Sequence, residues 1–171
     1  FTKKNNLKLH LDGARIFNAA IKSNVSVIEI AKHFDSVSIC LSKGLGAPVG
    51  SVLCGTKEII KSARRWRKVL GGGMRQVGIL AAAGIYALNN HMNRLSEDHE
   101  NAMNLARGLE GIDELQVDYS PAQTNMVFIE FAEKQVATLQ EYLKQKGILI
   151  FGDTSERLVT HLDITSSDIQ K

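Results

Sequence analysis

Two short stretches decide the fold of this chain: LKLHLDGAR at residues 7–15 and SVSICLSKGLG at residues 36–46. In the first stretch, leucines alternate with polar residues up to Asp12, and a glycine follows, which is typical of a strand that ends in a turn. The second stretch begins with a β-branched run and ends in small residues around Lys43. Each stretch therefore predicts a strand with a polar side chain at or just beyond its carboxyl end.

The residues between and after these stretches complete one supersecondary unit. Apolar spacing predicts helices over 14–22 and 26–33, and Ser26 with Glu29 has the spacing of a capping box at the start of the second helix. A strand, a helix and a strand in this order predict a βαβ crossover in a mostly parallel sheet. The run at 50–54 predicts a further buried strand.

Three longer helices follow. The first, at 57–70, is amphipathic and carries a basic face, and the glycines at 71–73 end it. The second, at 76–89, is largely apolar, whereas the third, at 94–109, is mostly polar. The first part of the chain is therefore predicted to be α/β.

The pattern changes to short strands near residues 108–111, where we place a domain boundary. We therefore predict a part of a large α/β domain at 1–109 and a small α+β domain at 110–171. The sequence 165–168 predicts one more helix start. The strands predicted for the second part are 116–119, 126–131, 148–150 and 158–161, and they surround a helix at 135–146.

Charge and hydropathy argue against two classes of partner. The formal net charge is only +3 and the calculated pI is about 8.9, which is too weakly basic to indicate a nucleic-acid binder. The longest apolar stretch, residues 77–88, is too short to span a bilayer. We therefore predict no nucleic-acid partner and no membrane partner.

The metal-binding residue types are scattered along the chain. Cys40 and Cys54 each lie in an apolar run, so we interpret them as buried, reduced thiols of an intracellular, cytoplasmic protein. The 5 histidines do not pair with cysteines at the spacing of a zinc site. We predict no metal site.

Asp12 and Lys43 are the candidates for chemistry. If the crossover forms, both lie at the carboxyl edge of the same sheet, which is where such sheets bind ligands. A carboxylate that pairs with a pyridine nitrogen and a lysine that forms a Schiff base are the groups that pyridoxal phosphate (PLP) chemistry requires. Each residue also has a simpler interpretation, because Asp12 could cap the following helix and Lys43 could lie in a surface turn.

Six motifs, in this order along nearly the whole chain, resemble the low-specificity L-threonine aldolase family. The resemblance implies the aspartate-aminotransferase fold (fold type I) of PLP enzymes, with a large cofactor domain followed by a small domain. The motifs are LHLDGARIFNA (9–19), ICLSKGLGAPVGS (39–51), RWRKVLGGGMRQ (65–76), DHENA (98–102), TNM (124–126) and RLVTHLD (157–163).

The resemblance also implies which residues bind the cofactor. Lys43 is expected to hold PLP covalently and to be the catalytic residue, while Asp12 pairs with the pyridine nitrogen. Arg75 is expected to lie near the cofactor phosphate or at the site of a neighbouring subunit.

For the amino-acid substrate, the resemblance implies Arg15 and Arg157 near the carboxylate, where a planar guanidinium allows bidentate binding. It places Lys68 at the substrate site too, although Lys68 could instead belong to the solvated basic face of its helix.

The implied reaction is the retro-aldol cleavage of L-threonine or L-allo-threonine to glycine and acetaldehyde by a homo-oligomer. One alternative is another fold-type-I lyase that carries out β-elimination, and a second is a fragment that binds no cofactor. The first predicted strand begins almost at once, and the last predicted helix stops after one turn. We therefore expect the chain to be part of a longer enzyme, and to be inactive in isolation.

Overall fold

The computed structural model describes residues 1–118 and 123–171. The contacts divide the chain into two compact units, Phe1–Ser96 and Glu97–Lys171. The domain boundary predicted between residues 109 and 110 lies further along the chain and stays a prediction. Among the described residues, no helix is both long and apolar enough to cross a membrane.

The first unit contains a three-stranded sheet of β1 (His10–Asp12), β2 (Ser36–Cys40) and β3 (Ser51–Gly55), in the order β1-β2-β3. β1 and β2 are parallel, as the crossover pattern predicts. β3 is antiparallel to β2, so the predicted mostly parallel sheet is wrong for this strand. The connection at 41–50 contains no helix, and a chain without a crossover reverses its direction at the next strand.

Four helices complete the first unit, after a single turn of 3₁₀-helix at Lys3–Asn5. The crossover between β1 and β2 consists of two of them, and the Ser26 hydroxyl accepts the N–H of Glu29 at 3.2 Å, as the predicted cap requires. The last two match the predicted amphipathic and apolar helices to within two residues. The four helices are α1 (Ile16–Ser23), α2 (Val27–Ala31), α3 (Lys57–Val69) and α4 (Gly78–Asn90).

The buried core of the first unit lies under the segment that follows β2. It consists of Leu45, Ala47, Ala87 and Leu95, with partly buried side chains of α1 and α4 packed around it. In contrast, all of β3 is exposed, so the prediction that Cys54 is a buried thiol is wrong. Within the described part of the chain, β3 is hydrogen-bonded to a neighbouring strand on one side only. An apolar run indicates a tendency to be buried without specifying what covers it.

At the amino ends of the parallel strands, Asp35 joins β1 to β2. Its carboxylate accepts the N–H of Leu9 at 2.8 Å and the ammonium of Lys8 at 2.9 Å. The hydrogen bond from Leu9 and then that from Lys8 hold the pKa of Asp35 below its usual value of 3.8. The Asp35 contacts therefore stabilise the edge of the sheet opposite to the one that carries Asp12.

The second unit contains an antiparallel sheet of β4 (Leu115–Asp118), β5 (Met126–Phe131) and β6 (Ser155–Val159), in the order β4-β5-β6. The strand predicted at 116–119 is confirmed as β4, and its last residue, Tyr119, lies outside the described residues. Its helices are α5 (Leu95–Leu109), which begins at the end of the first unit, α6 (Glu133–Gln145) and the short α7 (Ser166–Ile169).

One face of this sheet forms the core of the second unit. Alternate residues of β5, namely Val127, Ile129 and Phe131, pack with Ala102 and Ala106 of α5. This contact explains why most of α5 belongs to the second unit and not to the first.

The predicted strand at 148–150 is wrong. This segment connects α6 to β6, and the N–H of Ile148 donates to Leu143 O, which closes the end of α6. The carbonyl of Ile150 accepts from the side chain of Gln140 at 3.4 Å. Because its hydrogen bonds go to the helix, the segment does not pair with a strand, although Ile150 still packs on the core.

Candidate cofactor site

Asp12 ends β1 at the carboxyl edge of the parallel pair. It lies opposite Ser38 of β2, and its side chain is exposed. Oδ1 accepts the N–H of Ala14 at 3.3 Å, whereas the residue at the amino cap of α1 is Arg15. Asp12 is therefore not the cap of this helix, and its carboxylate faces solvent at the edge of the sheet.

Gly13 holds this end of β1 tightly against β2. Its N–H donates to Ser38 O at 2.8 Å. A Cβ at residue 13 would lie 3.0 Å from Val37 Cγ1, 3.1 Å from Ser38 O and 3.3 Å from Ile16 Cβ. Only a glycine fits this close approach without a shift of its neighbours, so Gly13 fixes the position of the adjacent Asp12.

Lys43 lies in the turn that follows β2. The N–H of Gly46 donates to Lys43 O at 2.8 Å, and the N–H of Ala47 donates to Leu41 O at 3.0 Å. Gly46 has a φ of 69°, which favours glycine. The side chain of Lys43 is exposed in this turn.

Asp12 and Lys43 are therefore brought to the same edge of the sheet. Parallel strands that pair directly lie about 4.8 Å apart, and Asp12 ends one such strand while Lys43 comes three residues after the end of the other. This arrangement is the one that the sequence predicts for both residues.

Arg15 lies beside this edge, between β1 and α1. Its side chain is half-buried, and Nε is buried with no acceptor within hydrogen-bonding distance among the described residues. A small cavity next to it has a volume of about 10 Å³, and Asn18 and Gly44 also line it. Nε is thus a donor that a bound group or a water molecule can satisfy.

Asn18 is a residue of this region that is not among the site residues predicted from the sequence. It is only 2% exposed, and a Cβ at Gly44 would lie 3.7 Å from its side-chain amide. The signal in the sequence was a polar residue within the apolar face of α1, where Ile16 and Ala20 are also buried. Asn18 lies between the segment that carries Arg15 and the turn that carries Lys43.

Lys68 and Arg75 lie in and after α3. Both are exposed, and the Lys68 side chain passes close to the glycine loop, because a Cβ at Gly73 would lie 3.4 Å from Lys68 Nζ. Arg75 is in the turn before α4. Their assignment to the cofactor and substrate therefore stays a prediction.

Arg157 belongs to the second unit. It lies on β6 opposite Phe128 of β5, and its side chain is exposed on the face of the sheet away from the core. The adjacent Glu156 is 3% exposed and accepts the N–H of Gly152 at 2.7 Å and that of Asp153 at 3.2 Å. These bonds fix the start of β6, and the role of Arg157 stays a prediction.

PLP fits the groups that the first unit provides. The cofactor needs an amine that can react with its aldehyde and a carboxylate that can pair with its ring nitrogen. An exposed amine and an exposed carboxylate occupy the same edge of the sheet, and the buried donor of Arg15 beside them has no acceptor among the residues that the structure describes. The groups at this edge thus have the chemistry that PLP binding requires.

The fold gives the class of the protein. It is a mixed α/β chain with the fold of type I PLP enzymes, and solved structures share this fold over nearly its whole length. A structure of a putative L-allo-threonine aldolase from Listeria monocytogenes superposes with a TM-score of 0.84 at 20% identity. The superposed part is 99% of this chain and 51% of the Listeria chain. A structure of SPT with bound PLP superposes with a TM-score of 0.71 at 17% identity. The superposed part is 99% of this chain and 46% of the SPT chain.

Sequence comparison then gives the family. The family model for beta-eliminating lyases matches residues 1–134, and the chain belongs to this family. It is 52% identical over 169 residues to the low specificity L-threonine aldolase of Escherichia coli K12. The aligned residues are 99% of this chain and 50% of the Escherichia coli protein. The resemblance found in the sequence is thereby confirmed, and the chain spans about half the length of the curated relatives it matches.

Proposed function

We propose that the whole protein containing these residues is a PLP-dependent lyase that cleaves L-threonine and L-allo-threonine to glycine and acetaldehyde. The observation that carries the proposal is the position of Asp12 and Lys43 at one edge of a parallel strand pair, in a chain that is 52% identical to a threonine aldolase. The substrate is a small amino acid with a hydroxyl on its β-carbon.

When bound, PLP supplies the electron sink that accepts the electron pair of the broken Cα–Cβ bond. Lys43 would hold the cofactor covalently through its amine. The negative charge of Asp12 would favour a proton on the ring nitrogen, which would make the ring a better acceptor of electrons. These two residues therefore set the position and the charge of the cofactor.

The remaining candidates bind charged groups. Arg15 and Arg157 bind the substrate carboxylate, because a planar guanidinium donates two parallel hydrogen bonds to it. Arg75 binds the cofactor phosphate, and Lys68 supports substrate binding from the end of α3. A guanidinium contact to the carboxylate would orient the bond that breaks, which is how the protein would contribute to the rate.

The test has two parts, both made on the whole protein. Acetaldehyde and glycine are measured after incubation with PLP and L-threonine. The cofactor is then reduced onto its lysine with borohydride, and the modified peptide is mapped. Acetaldehyde release together with an adduct on Lys43 supports the proposal, whereas an adduct on Lys57 or Lys68 contradicts the assignment of Lys43.

A second candidate is a β-eliminating amino-acid lyase, which the name of the matched family favours. It would use Asp12 and Lys43 in the same way, so only the products separate the two. Ammonia and a keto acid from a substrate with a leaving group on its β-carbon, without acetaldehyde from threonine, would favour this candidate. No Schiff-base absorption with added PLP would instead favour a fragment without cofactor.

We also propose that the whole protein is a cytoplasmic homo-oligomer, as the resemblance implies. Sedimentation of the purified protein tests the oligomer, and fractionation of cells tests the location. A monomer at micromolar concentration would contradict the proposed homo-oligomer.

A further inference from the structure

The ring of His91 contacts the segment that carries Lys43. His91 ends α4, where its own N–H donates to Ala87 O at 2.8 Å. Its Nδ1 lies 2.6 Å from the carbonyl oxygen of Leu45 in a partly buried contact between residues 46 positions apart. A carbonyl oxygen only accepts hydrogen bonds, so Nδ1 carries the proton and donates.

Leu45 packs the turn onto the core of the first unit. Its side chain is 3% exposed and packs with Ala47, Ala87 and Leu95. Among the hydrogen bonds of the described residues, the ring of His91 is the donor found for its carbonyl. Loss of this donor would leave a partly buried acceptor without a partner, which costs free energy in the closed conformation of the turn.

We propose that His91 is a positioning residue for the cofactor lysine, acting through the backbone carbonyl of Leu45. The inference rests on the proposed function, since it takes Lys43 as the lysine that binds PLP. Lys43 and Leu45 belong to the same tight turn, which the bond from Gly46 N to Lys43 O closes. A fixed carbonyl two residues away therefore limits where the backbone of Lys43 can lie.

The ring of His91 also has a contact with an aromatic side chain. Tyr86 contacts it edge to face, with ring centroids 5.5 Å apart and an interplanar angle of 83°. Both the neutral form with a proton on Nδ1 and the doubly protonated form can donate to Leu45. The contact thus depends on the donor at Nδ1 and not on the charge of the ring.

The position of the backbone matters because it is the point from which the exposed side chain of Lys43 extends toward the cofactor. A displacement of about 1 Å at a reacting group is enough to lower a rate by about a hundredfold. A loose turn would change how easily Lys43 attaches and detaches.

Three variants of the whole protein separate the donor from the volume of the ring. His91→Leu removes the donor and keeps an apolar side chain. His91→Asn keeps an N–H donor close to the position of Nδ1. His33→Leu is the matched control, because His33 is an exposed histidine of the same unit.

The first readout is hydrogen exchange of the amides at 41–50, followed by mass spectrometry. The amides of Gly46 and Ala47 donate within the turn, so they exchange only when it opens. We expect about tenfold faster exchange in His91→Leu, and exchange close to that of the parent protein in His91→Asn and His33→Leu. Exchange at 41–50 that does not change in His91→Leu would overturn the inference.

The second readout is the pH titration of the absorption band of the lysine-bound cofactor. This band reports the surroundings of the Lys43 nitrogen, and a merely structural histidine would not move it. We expect the midpoint of the titration to shift in His91→Leu and to return toward the parent value in His91→Asn. An unmoved midpoint, or faster exchange throughout β1 and β2 as well, would show that His91 only stabilises the fold.

The borohydride experiment keeps the two proposals apart. If the adduct maps to a lysine other than Lys43, the proposed role of Lys43 fails, and the inference that His91 positions the cofactor lysine fails with it. If the adduct maps to Lys43 and the three variants give identical spectra and exchange, the inference about His91 fails alone.

Discussion

Gly13→Ala should destabilise the sheet edge that carries the candidate site. The added Cβ would lie 3.0 Å from Val37 Cγ1 and 3.1 Å from Ser38 O. Neither neighbour can move freely, because Val37 is a β-branched side chain that is 4% exposed and Ser38 O accepts the N–H of Gly13 at 2.8 Å. Overpacking of one methyl group at such a place costs about 1–3 kcal/mol.

The measurement is urea unfolding of the whole protein, followed by circular dichroism. Gly78→Ala is the matched control, since a Cβ at Gly78 meets nothing within 4 Å. In this first position of α4 the change should be neutral or stabilising, by up to about 1 kcal/mol. Because residue 13 adjoins Asp12, Gly13→Ala should also weaken PLP binding, whereas Gly78→Ala should not.

A second substitution tests the cause of the loss. Val37→Ala removes Cγ1, which is the atom nearest to the added Cβ. If the clash is responsible, the double variant should be less destabilised than the sum of the two single changes, by about 0.5 kcal/mol or more. Strict additivity, or a Gly13→Ala protein as stable as the parent, would refute the packing argument.

Three further substitutions test the proposed roles directly, and a fourth tests the contacts of Asp35. Lys43→Ala should abolish the absorption of lysine-bound PLP and the release of acetaldehyde together, whereas Lys57→Ala should keep both; residual turnover in Lys43→Ala would contradict its role. Asp12→Asn should leave PLP bound and lower turnover severely, because an amide does not favour the protonated ring; near-normal turnover would mean that the charge of Asp12 is not needed. Arg157→Lys should weaken substrate binding by about 1.5–3 kcal/mol with little effect on the cofactor, and an unchanged affinity for glycine would place the carboxylate elsewhere. Asp35→Asn should lower stability at neutral pH. Since the pKa of Asp35 in the folded protein lies below 3.8, its contribution is present above that value and is lost as the pH falls further, so urea midpoints of the two proteins should converge in acid.

Local pattern was sufficient to predict most of the elements. The alternation that ends at Asp12 and the β-branched run before Lys43 appear as β1 and β2, and the intervening helices give these strands their parallel order. The strand predicted at 126–131 has the bounds of β5. These predictions are confirmed because the period of the pattern and the length of the connection both depend on neighbouring residues alone.

The corrected predictions concern what lies beside an element. The run at 50–54 forms a strand, yet it is exposed and antiparallel, because its neighbours and not its composition decide burial and direction. The segment at 148–150 has a composition typical of a strand, but its backbone bonds are taken by α6. A sequence pattern contains no information about such a competition between partners.

The residues of the candidate site also differ in whether a local pattern was sufficient to predict them. Asp12 and Lys43 were identifiable because each has a reactive group next to a recognisable strand end. His91 was not, since it lies in none of the six motifs. Asn18 lies in the motif at 9–19 together with Asp12, but its burial beside the turn of Lys43 depends on contacts across the fold. His91 reaches a main-chain oxygen, which every residue possesses, so no residue type at position 45 could indicate the contact. A sequence thus indicates the residues that carry the chemistry of a site more readily than the residues that hold its backbone in place. The His91 variants would measure how much one residue of the latter kind contributes to the position of the turn that carries Lys43.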